Sequence, residues 1–581
     1  MKKITGYLAA LLLFLLPLKF GALAVMPESG GYYPEYFIDW LFIPNWHPHS
    51  LAYFGALLLA LAMIVNREKL ARRTLLFLLC WCILPPLAVL PGMIRGDWII
   101  AQGELSLLFG CGSVVAAVVL LLDKEPEKKD FYISAILLGC AATAAYGWYQ
   151  HLVTLDELRQ SVAAQEAAGI PVSEGMKLKL TDPRIYSTMA SSNILASLLM
   201  IATPIAVYCA AKWSRFINPP RSGKIFFLVF FGLLFLSVLI LTRSRSVVAC
   251  PVAAGLIAIF STSKIKLRWK IAGLATGIAV VVAGIIFFAR TGRGVESIGE
   301  RADYWRTCAI LCKEYPLAGA GWGEFFHTHM QIKVSNVDES ARDPHNIVAA
   351  FAAQCGIPMG LVMLAVLLYP LVLLWKHRFE QNLPCAVFWS GVIFTLHSLI
   401  DCDWQSPAMI AVMGVLYACA LIRPDMENEN VKPLPAYIHN GILALCAACG
   451  VVISYFYLAG DYALSQLQDK VNPPSVEIHA AMGRYTVEEL VANAAEYRPG
   501  SAVIYMYAGD WYLQHRNLFQ AEKYFLQALE VDPRRPGAYA RLAQIELLRG
   551  NREKAEALQL EAHRLFPKSP DYTIESLYRK P

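Results

Sequence analysis

Charged side chains are scarce in this chain. Its 581 residues include only 17% charged residues against 56% hydrophobic ones. A soluble globular protein has roughly 25% charged residues. Charge is absent altogether between Asp343 and Lys376 and between Arg184 and Lys212. Charge-free gaps of about 20 residues or more match the hydrocarbon core of a bilayer, so the composition excludes an ordinary soluble protein and predicts a polytopic membrane protein.

The net charge of +6 is not spread evenly along the chain. The segment from Asp461 onward holds 15 basic and 16 acidic residues, so the positive excess lies in the apolar part of the chain. There the basic residues concentrate in short breaks between apolar runs. When the runs are counted alternately, these breaks fall on one side, which the positive-inside rule makes cytoplasmic. The charge therefore reflects topology, and no nucleic-acid partner is expected.

Apolar runs long enough to span a bilayer number about thirteen. They lie at 5–25, 49–66, 74–94, 98–122, 131–152, 187–211, 225–242, 246–262, 271–289, 346–375, 383–400, 407–422 and 441–459. The first run also resembles a signal peptide that ends near Ala24, and cleavage there would leave the remaining topology unchanged. The prediction is an all-α, polytopic transmembrane bundle of about 12–13 helices, with the N-terminus on the cytoplasmic side and the C-terminus on the outer side.

The composition changes after Leu458, where the chain becomes soluble and helical. Pro499, Pro533 and Pro567 recur at intervals of 34 residues. Each proline closes a helical hairpin, a pattern that resembles a tetratricopeptide array; a non-repeating helical bundle is the alternative. We therefore divide the chain into a membrane domain, 1–460, and an α-solenoid on the outer side, 461–581, that would bind a protein partner or assemble a complex.

The candidate chemistry concentrates in and around a long outer loop, 290–345. A helix over about 300–314 would place Arg301 and Trp305 on one face. The glycine-rich Gly319–Gly323 turn allows backbone segments to approach closely. His345 stands where the loop re-enters the membrane, and a neutral histidine can accept a proton from a hydroxyl group.

These motifs resemble the O-antigen ligase/polymerase superfamily of bacterial inner-membrane glycosyltransferases, which also contains protein O-oligosaccharyltransferases. The segments that carry the resemblance are Arg301 to Trp305, Pro316-Leu-Ala-Gly-Ala-Gly-Trp322-Gly and His345-Asn346 followed by Gly356. Supporting segments are Arg184 to Asn193, Thr242-Arg-Ser-Arg245-Ser and His397-Ser-Leu-Ile-Asp401-Cys-Asp403. The resemblance covers about residues 180–420.

The resemblance implies a GT-C-like enzyme that moves a glycan from an undecaprenyl-diphosphate donor to a periplasm-facing hydroxyl, such as that of lipid A-core. It implies no nucleotide sugar, metal or cofactor. Guanidinium groups bind phosphate through paired hydrogen bonds, so Arg184, Arg245 and Arg301 are the candidates for the diphosphate. His345 is the candidate base. The supporting candidates are Asn346, Trp305, Trp322, Asp401 and Asp403.

Each candidate also has a purely structural interpretation. Arginines at helix ends can snorkel, a histidine can hydrogen-bond a helix start, and tryptophans can pack or lie at the interface. A metal site built from loop residues is disfavoured; its members would be His327, His329, Asp338, Glu339 and Asp343. Between functions, a ligase and a polymerase of the same superfamily both stay open. A transporter is opposed because the spans show no internal repeat.

Overall fold

The computed structural model describes residues 1–23, 39–40, 43–167, 184–290, 296–334, 341–422, 435–473, 478 and 481–578. Within these ranges every regular element is helical, which confirms the predicted all-α class. Eight of the described helices are long and apolar enough to cross a membrane. Asp338 and Glu339 of the disfavoured metal set lie outside the described residues.

We number the helices along the chain. Those before the long loop are α1 (Lys2–Lys19), α2 (Leu51–Val65), α3 (Arg72–Arg95), α4 (Trp98–Lys124), α5 (Lys129–Tyr149), α6 (Leu155–Ala167), α7 (Ser192–Trp213), α8 (Pro220–Thr242), α9 (Ser246–Ser261) and α10 (Leu267–Arg290). Those of the loop and the remaining membrane part are α11 (Glu296–Glu314), α12 (Glu324–Ile332), α13 (Ile347–Cys355), α14 (Ile357–Leu374), α15 (Leu383–Ser398), α16 (Pro407–Leu421) and α17 (Ala436–Val471).

All thirteen predicted apolar runs coincide with helices, but the helices differ in length. Helices α9, α15 and α16 have 16, 16 and 15 residues. At 1.5 Å per residue such helices extend for about 22–24 Å, which is shorter than the roughly 30 Å hydrocarbon core. The turns that flank them are therefore part of the bundle rather than solvent loops. Several candidate residues lie in these turns.

The run at 346–375 is split in two. Gly356 separates α13 from α14 and has φ +99°, a conformation that favours glycine. A Cβ atom at this position would lie 2.1 Å from the carbonyl oxygen of Leu317. The break thus depends on close contact with the glycine-rich loop, and α13 is a short, largely buried segment that precedes the span α14.

The core of the bundle is built around α4. In its most apolar window 94% of the residues are buried, compared with 22% for α8 at the periphery. Helix α4 packs against α2, α16 and α17. A helix that is hydrophobic on every side belongs at the centre of a bundle, whereas α8 presents an apolar outer face of the kind that contacts lipid.

Basic breaks that were assigned to one side contact each other. Lys2 pairs with Glu125, Lys124 with Glu68, and Lys212 with Asp130. These contacts join the N-terminus and the breaks before α3, before α5 and after α7 at one end of the bundle. A separate hydrogen bond of 2.7 Å joins the Arg378 guanidinium to the Ser261 carbonyl and links two further basic breaks.

The tail consists of helical hairpins: α18 (Val487–Tyr497), α19 (Ala502–Gln514), α20 (Leu518–Val531), α21 (Pro536–Leu548) and α22 (Arg552–Leu565). The alanines that recur at 34-residue intervals, Ala494, Ala528 and Ala562, are fully buried, as close helix packing requires. Helix α17 runs without a break from the membrane part into the tail and crosses the proposed boundary at residue 460. The tetratricopeptide assignment and the boundary itself stay predictions.

Candidate active site

The glycine-rich turn fixes the loop against the membrane helices. The Ala320 and Gly321 amides donate to the carbonyls of Ala353 and Gln354 at 2.9 and 3.0 Å. Gly321 has φ +120°, and a Cβ atom there would lie 2.8 Å from the Gly96 backbone. The motif therefore joins the loop to the end of α13 and to the turn before α4. It sets the position of α13, and the candidate base lies just before the first turn of that helix.

His345 is held in an unusual backbone conformation just before α13. Its φ is +54°, a region that costs a non-glycine residue about 1–3 kcal/mol. Its own amide donates to the Asp343 carboxylate at 2.7 Å, and its ring stacks on Tyr304 at a centroid distance of 5.7 Å. Backbone strain that is supported from two sides is typical of functional sites. The side chain is 30% exposed.

Asp401 is the central acceptor of the site. Its carboxylate contacts the His345 Nδ1 at 3.3 Å, the Arg301 Nη2 at 3.2 Å and the Asn193 Nδ2 at 2.7 Å. The Arg301 Nε also donates to the Ile400 carbonyl at 3.0 Å, which fixes the guanidinium plane. Because Nδ1 is bonded to Asp401, Nε2 is the ring nitrogen of His345 that is able to face a substrate.

The three predicted arginines converge beside His345. Burial lowers the pKa of Arg245, and the positive charges of Arg301 and Arg184 lower it further. Guanidinium groups stay protonated in proteins, so this effect reports like charges held close together. Arg243, two residues from Arg245, is exposed and has φ +48°. The turn before α9 thus directs only one of its two arginines inward.

Nearby charges and burial have opposite effects on the pKa of His345. Burial lowers the pKa of His345, but the hydrogen bond and charge of Asp401, together with the charge of Asp343, raise it above its ordinary value. Burial likewise raises the pKa of Asp401, yet His345, His397 and Arg301 hold it well below its usual range. The carboxylate therefore stays ionised, and it stabilises the imidazolium that forms when His345 accepts a proton.

Residues 228–365 match the model of the O-antigen ligase family. This segment of the chain is similar to the O-antigen ligase domain. The match includes Arg245, Arg301 and His345 and confirms the superfamily expected from the motifs. Arg184 and Asp401 lie outside the matched residues, although the structure brings both to the same site. No curated protein matches the chain.

A second, largely buried network adjoins the candidate active site. His397 bonds to the Asp403 carboxylate through Nδ1 at 2.8 Å and to the Ser246 hydroxyl through Nε2 at 3.0 Å. The Ser246 hydroxyl bonds to the Ser244 hydroxyl, which bonds to Asn193, and Asn193 contacts Asp401. Asp403 thus belongs to the inner layer that supports the arginine turn.

The remaining predicted residues of the O-antigen ligase domain take structural positions. Asn346 caps α13 by accepting a hydrogen bond from the Ala349 amide at 3.0 Å. Trp322 is 7% exposed and packs against Phe351 at a centroid distance of 5.0 Å. Trp305 is 41% exposed. A role for these three side chains in binding a substrate stays a prediction.

One group of potential metal ligands coincides with the site. Donor atoms of His345, Asp401 and Cys402 lie within 4.8 Å of one another. Burial and the charge of Asp401 raise the pKa of Cys402, whereas a metal ligand must be a thiolate. The Asp401 oxygens are also engaged by hydrogen bonds. In the disfavoured set, His329 is buried and bonds to the Thr307 hydroxyl at 3.1 Å. The expectation of no metal stays a prediction.

Two site residues were missed by the sequence analysis. Tyr304 stacks on His345, and Glu104 lies on α4 near Asp343. Tyr304 is three residues after Arg301, so helical spacing could have identified it. Glu104 is a lone acidic residue within an apolar helix, which by itself suggests function.

Proposed function

We propose that this protein is a glycosyltransferase of the ligase type. It moves a glycan from an undecaprenyl-diphosphate donor to a hydroxyl group of an acceptor such as lipid A-core. The observation that supports this most directly is the meeting of three arginines with a histidine–carboxylate pair. The matched O-antigen ligase domain supports lipid-linked glycans as the class of substrate.

The arginines would bind the leaving group. Like charges held close together repel each other, and a diphosphate relieves this repulsion. Arg301 is oriented by Asp401 and Ile400, and Arg245 is half-buried, so paired hydrogen bonds to phosphate would form in a site with little water. Arg184, which is exposed, would meet the outer phosphate.

His345 would act as the base. The acceptor oxygen attacks the anomeric carbon while the bond from that carbon to the phosphate oxygen breaks, and undecaprenyl diphosphate departs with the electron pair. The Nε2 of His345 takes the hydroxyl proton, and Asp401 stabilises the resulting charge from the Nδ1 side. The proposed setting is the inner membrane, with the site and the tail in the periplasm.

Surface glycans from cells that lack the gene test this proposal. Long chains that stay lipid-linked and unattached would support a ligase. Single attached repeat units would indicate the polymerase alternative instead. Unchanged surface glycans would contradict both.

A reporter fused after residue 581 tests the proposed sidedness. Activity is expected only in the periplasm. Cytoplasmic activity would place the arginines and His345 on the wrong side for this donor.

A further inference from the structure

A cavity lies behind the loop 290–345, where three parts of the chain meet. The open space in it is about 80 Å³. Glu104 of α4 and Tyr457 of α17 form one wall, and Phe326 of α12 forms another. The tail contributes Asp532 and Arg535. The cavity is therefore complete only when the tail is docked on the membrane domain.

The tail is docked there by specific contacts. The Arg534 guanidinium donates two hydrogen bonds, of 2.5 and 2.8 Å, to the Glu324 carboxylate. The Lys333 ammonium lies 5.4 Å from the Phe566 ring centroid. A paired arginine–carboxylate contact fixes orientation as well as distance. The position of Asp532 and Arg535 at the cavity is thus built into the fold.

The cavity adjoins the candidate base. Asp343 lines it and also accepts the hydrogen bond from the His345 amide. Gln405 lines it from the turn that carries Asp401 and Asp403. A ligand in the cavity would therefore contact the residues that surround the base, on a side distinct from the arginine cluster.

The chemistry of the walls differs from that of the arginine cluster. The cavity has four acidic residues, Asp97, Glu104, Asp343 and Asp532, and two arginines. A diphosphate would be repelled by this excess of negative charge. Carboxylates and side-chain amides accept and donate hydrogen bonds to hydroxyl groups. The Gln354 Oε1 is used by the Gly323 amide, which leaves its NH₂ group as a donor.

One buried polar atom in the wall also lacks a partner. Among the described residues, His327 Nδ1 is buried and makes no hydrogen bond. A buried polar atom without a partner in the protein takes one from water or from a ligand. A hydroxyl-rich ligand would supply the missing partner.

We propose that this cavity binds the sugar end of the acceptor glycan and that the tail completes the acceptor site. The arginines would then hold the donor diphosphate on one side of His345, and the cavity would present an acceptor hydroxyl from the other. This inference rests on the proposed glycan transfer and adds to it the acceptor's binding site. The tail is thereby part of the substrate-binding surface.

Photo-crosslinking in cells tests the inference. Phe326 is replaced by p-benzoylphenylalanine in the full-length protein, and adducts are identified by mass spectrometry. The expected adduct is a saccharide that carries no diphosphate. The same substitution at Phe519, which is 72% exposed on the tail and does not line the cavity, should give no such adduct.

A second set of variants tests the contribution of the tail. Asp532→Ala combined with Gln405→Ala should reduce the saccharide adduct at position 326 at least tenfold, whereas the matched surface variant Arg552→Ala should retain it. Each variant is compared only if it elutes as a monodisperse protein; if the double variant does not, Asp532→Ala alone is used, because Asp532 is the tail residue of the two.

Several results would overturn the acceptor site. A saccharide adduct that carries polyprenyl diphosphate would place the donor in the cavity, and a peptide adduct would indicate a protein acceptor. Only in-chain crosslinks, or no adduct, would show that the cavity binds no glycan. These results differ from failure of the proposed function, which is judged from unchanged surface glycans in cells that lack the gene.

Discussion

Two histidine–aspartate pairs lie within the same few turns of this protein, and they differ in what surrounds them. The His345–Asp401 pair is partly open, and its imidazole bonds to Asp401 through Nδ1, so that Nε2 is the nitrogen able to meet a substrate. The His397–Asp403 pair is 0% exposed, and both of its ring nitrogens are bonded within the protein. A carboxylate partner alone therefore does not make a histidine a base. A histidine that acts as a base also needs access to the substrate and a ring nitrogen that is not already bonded within the protein.

Loss of the open histidine should have the largest effect. His345→Ala removes the proposed proton acceptor but leaves the arginines in place. We expect transfer to fall by about 10²–10⁴-fold, the usual size of general-base catalysis, while donor binding is retained. Single-turnover transfer and donor affinity should be measured on the same preparation. A fully active His345→Asn protein would reduce His345 to a structural residue.

Asp401→Asn should change the pH dependence of the transfer rate, and this tests the role of the carboxylate in the open pair. The active form of His345 is neutral, and its raised pKa means that transfer fails as the pH falls through a value above the ordinary one. Removing the Asp401 charge leaves burial to lower that pKa, so the acid limb of the rate profile should move to lower pH. The maximal rate should also fall, by about 10–100-fold for a lost orienting partner. An unmoved limb would show that another group titrates.

Lysine at the arginine positions should have a smaller effect. Arg245→Lys and Arg301→Lys keep the charge but lose paired hydrogen bonds, so transfer and donor affinity should fall together by about 10–100-fold. Arg243→Lys is the matched control, because Arg243 lies in the same turn and is exposed. Equal activity in all three variants would mean that these arginines serve topology alone.

The buried histidine should affect stability rather than chemistry. His397→Asn weakens a buried network, at a cost of about 1–3 kcal/mol in the free energy of unfolding. The thermal unfolding midpoint should fall, while the transfer rate per folded molecule and its pH profile should stay close to wild type. A shifted acid limb in this variant would remove the distinction between the two pairs.

The sequence was sufficient for much of the fold because apolar length and charge position are local properties. All thirteen apolar runs are helices, and the glycine motif does bring two backbone segments together. The sequence alone gives only a weak reason to choose Arg245 rather than Arg243 as the diphosphate ligand. The choice depends on the turn, in which Arg243 has a left-handed backbone conformation.

Other features depend on contacts distant in sequence. Each histidine has an aspartate partner, and packing around Ser246 and Asp403 encloses His397 but not His345. The position of Asp532 beside Glu104 requires the docking of the tail, more than 400 residues from α4. Helical spacing likewise suggested Trp305, whereas Tyr304 is the aromatic residue that meets His345.

The continuity of α17 has a consequence for the membrane in which the protein works. Its 36 residues form one rod of about 54 Å, anchored in lipid at one end and joined to the tail by a buried Arg498–Asp461 pair. Because α17 has a fixed length, the part of it that projects from the membrane becomes shorter as the bilayer becomes thicker. In a thicker bilayer, the tail should lie closer to the membrane or α17 should change its tilt. The acyl-chain length of the lipids should therefore affect how the tail packs against the loop 290–345.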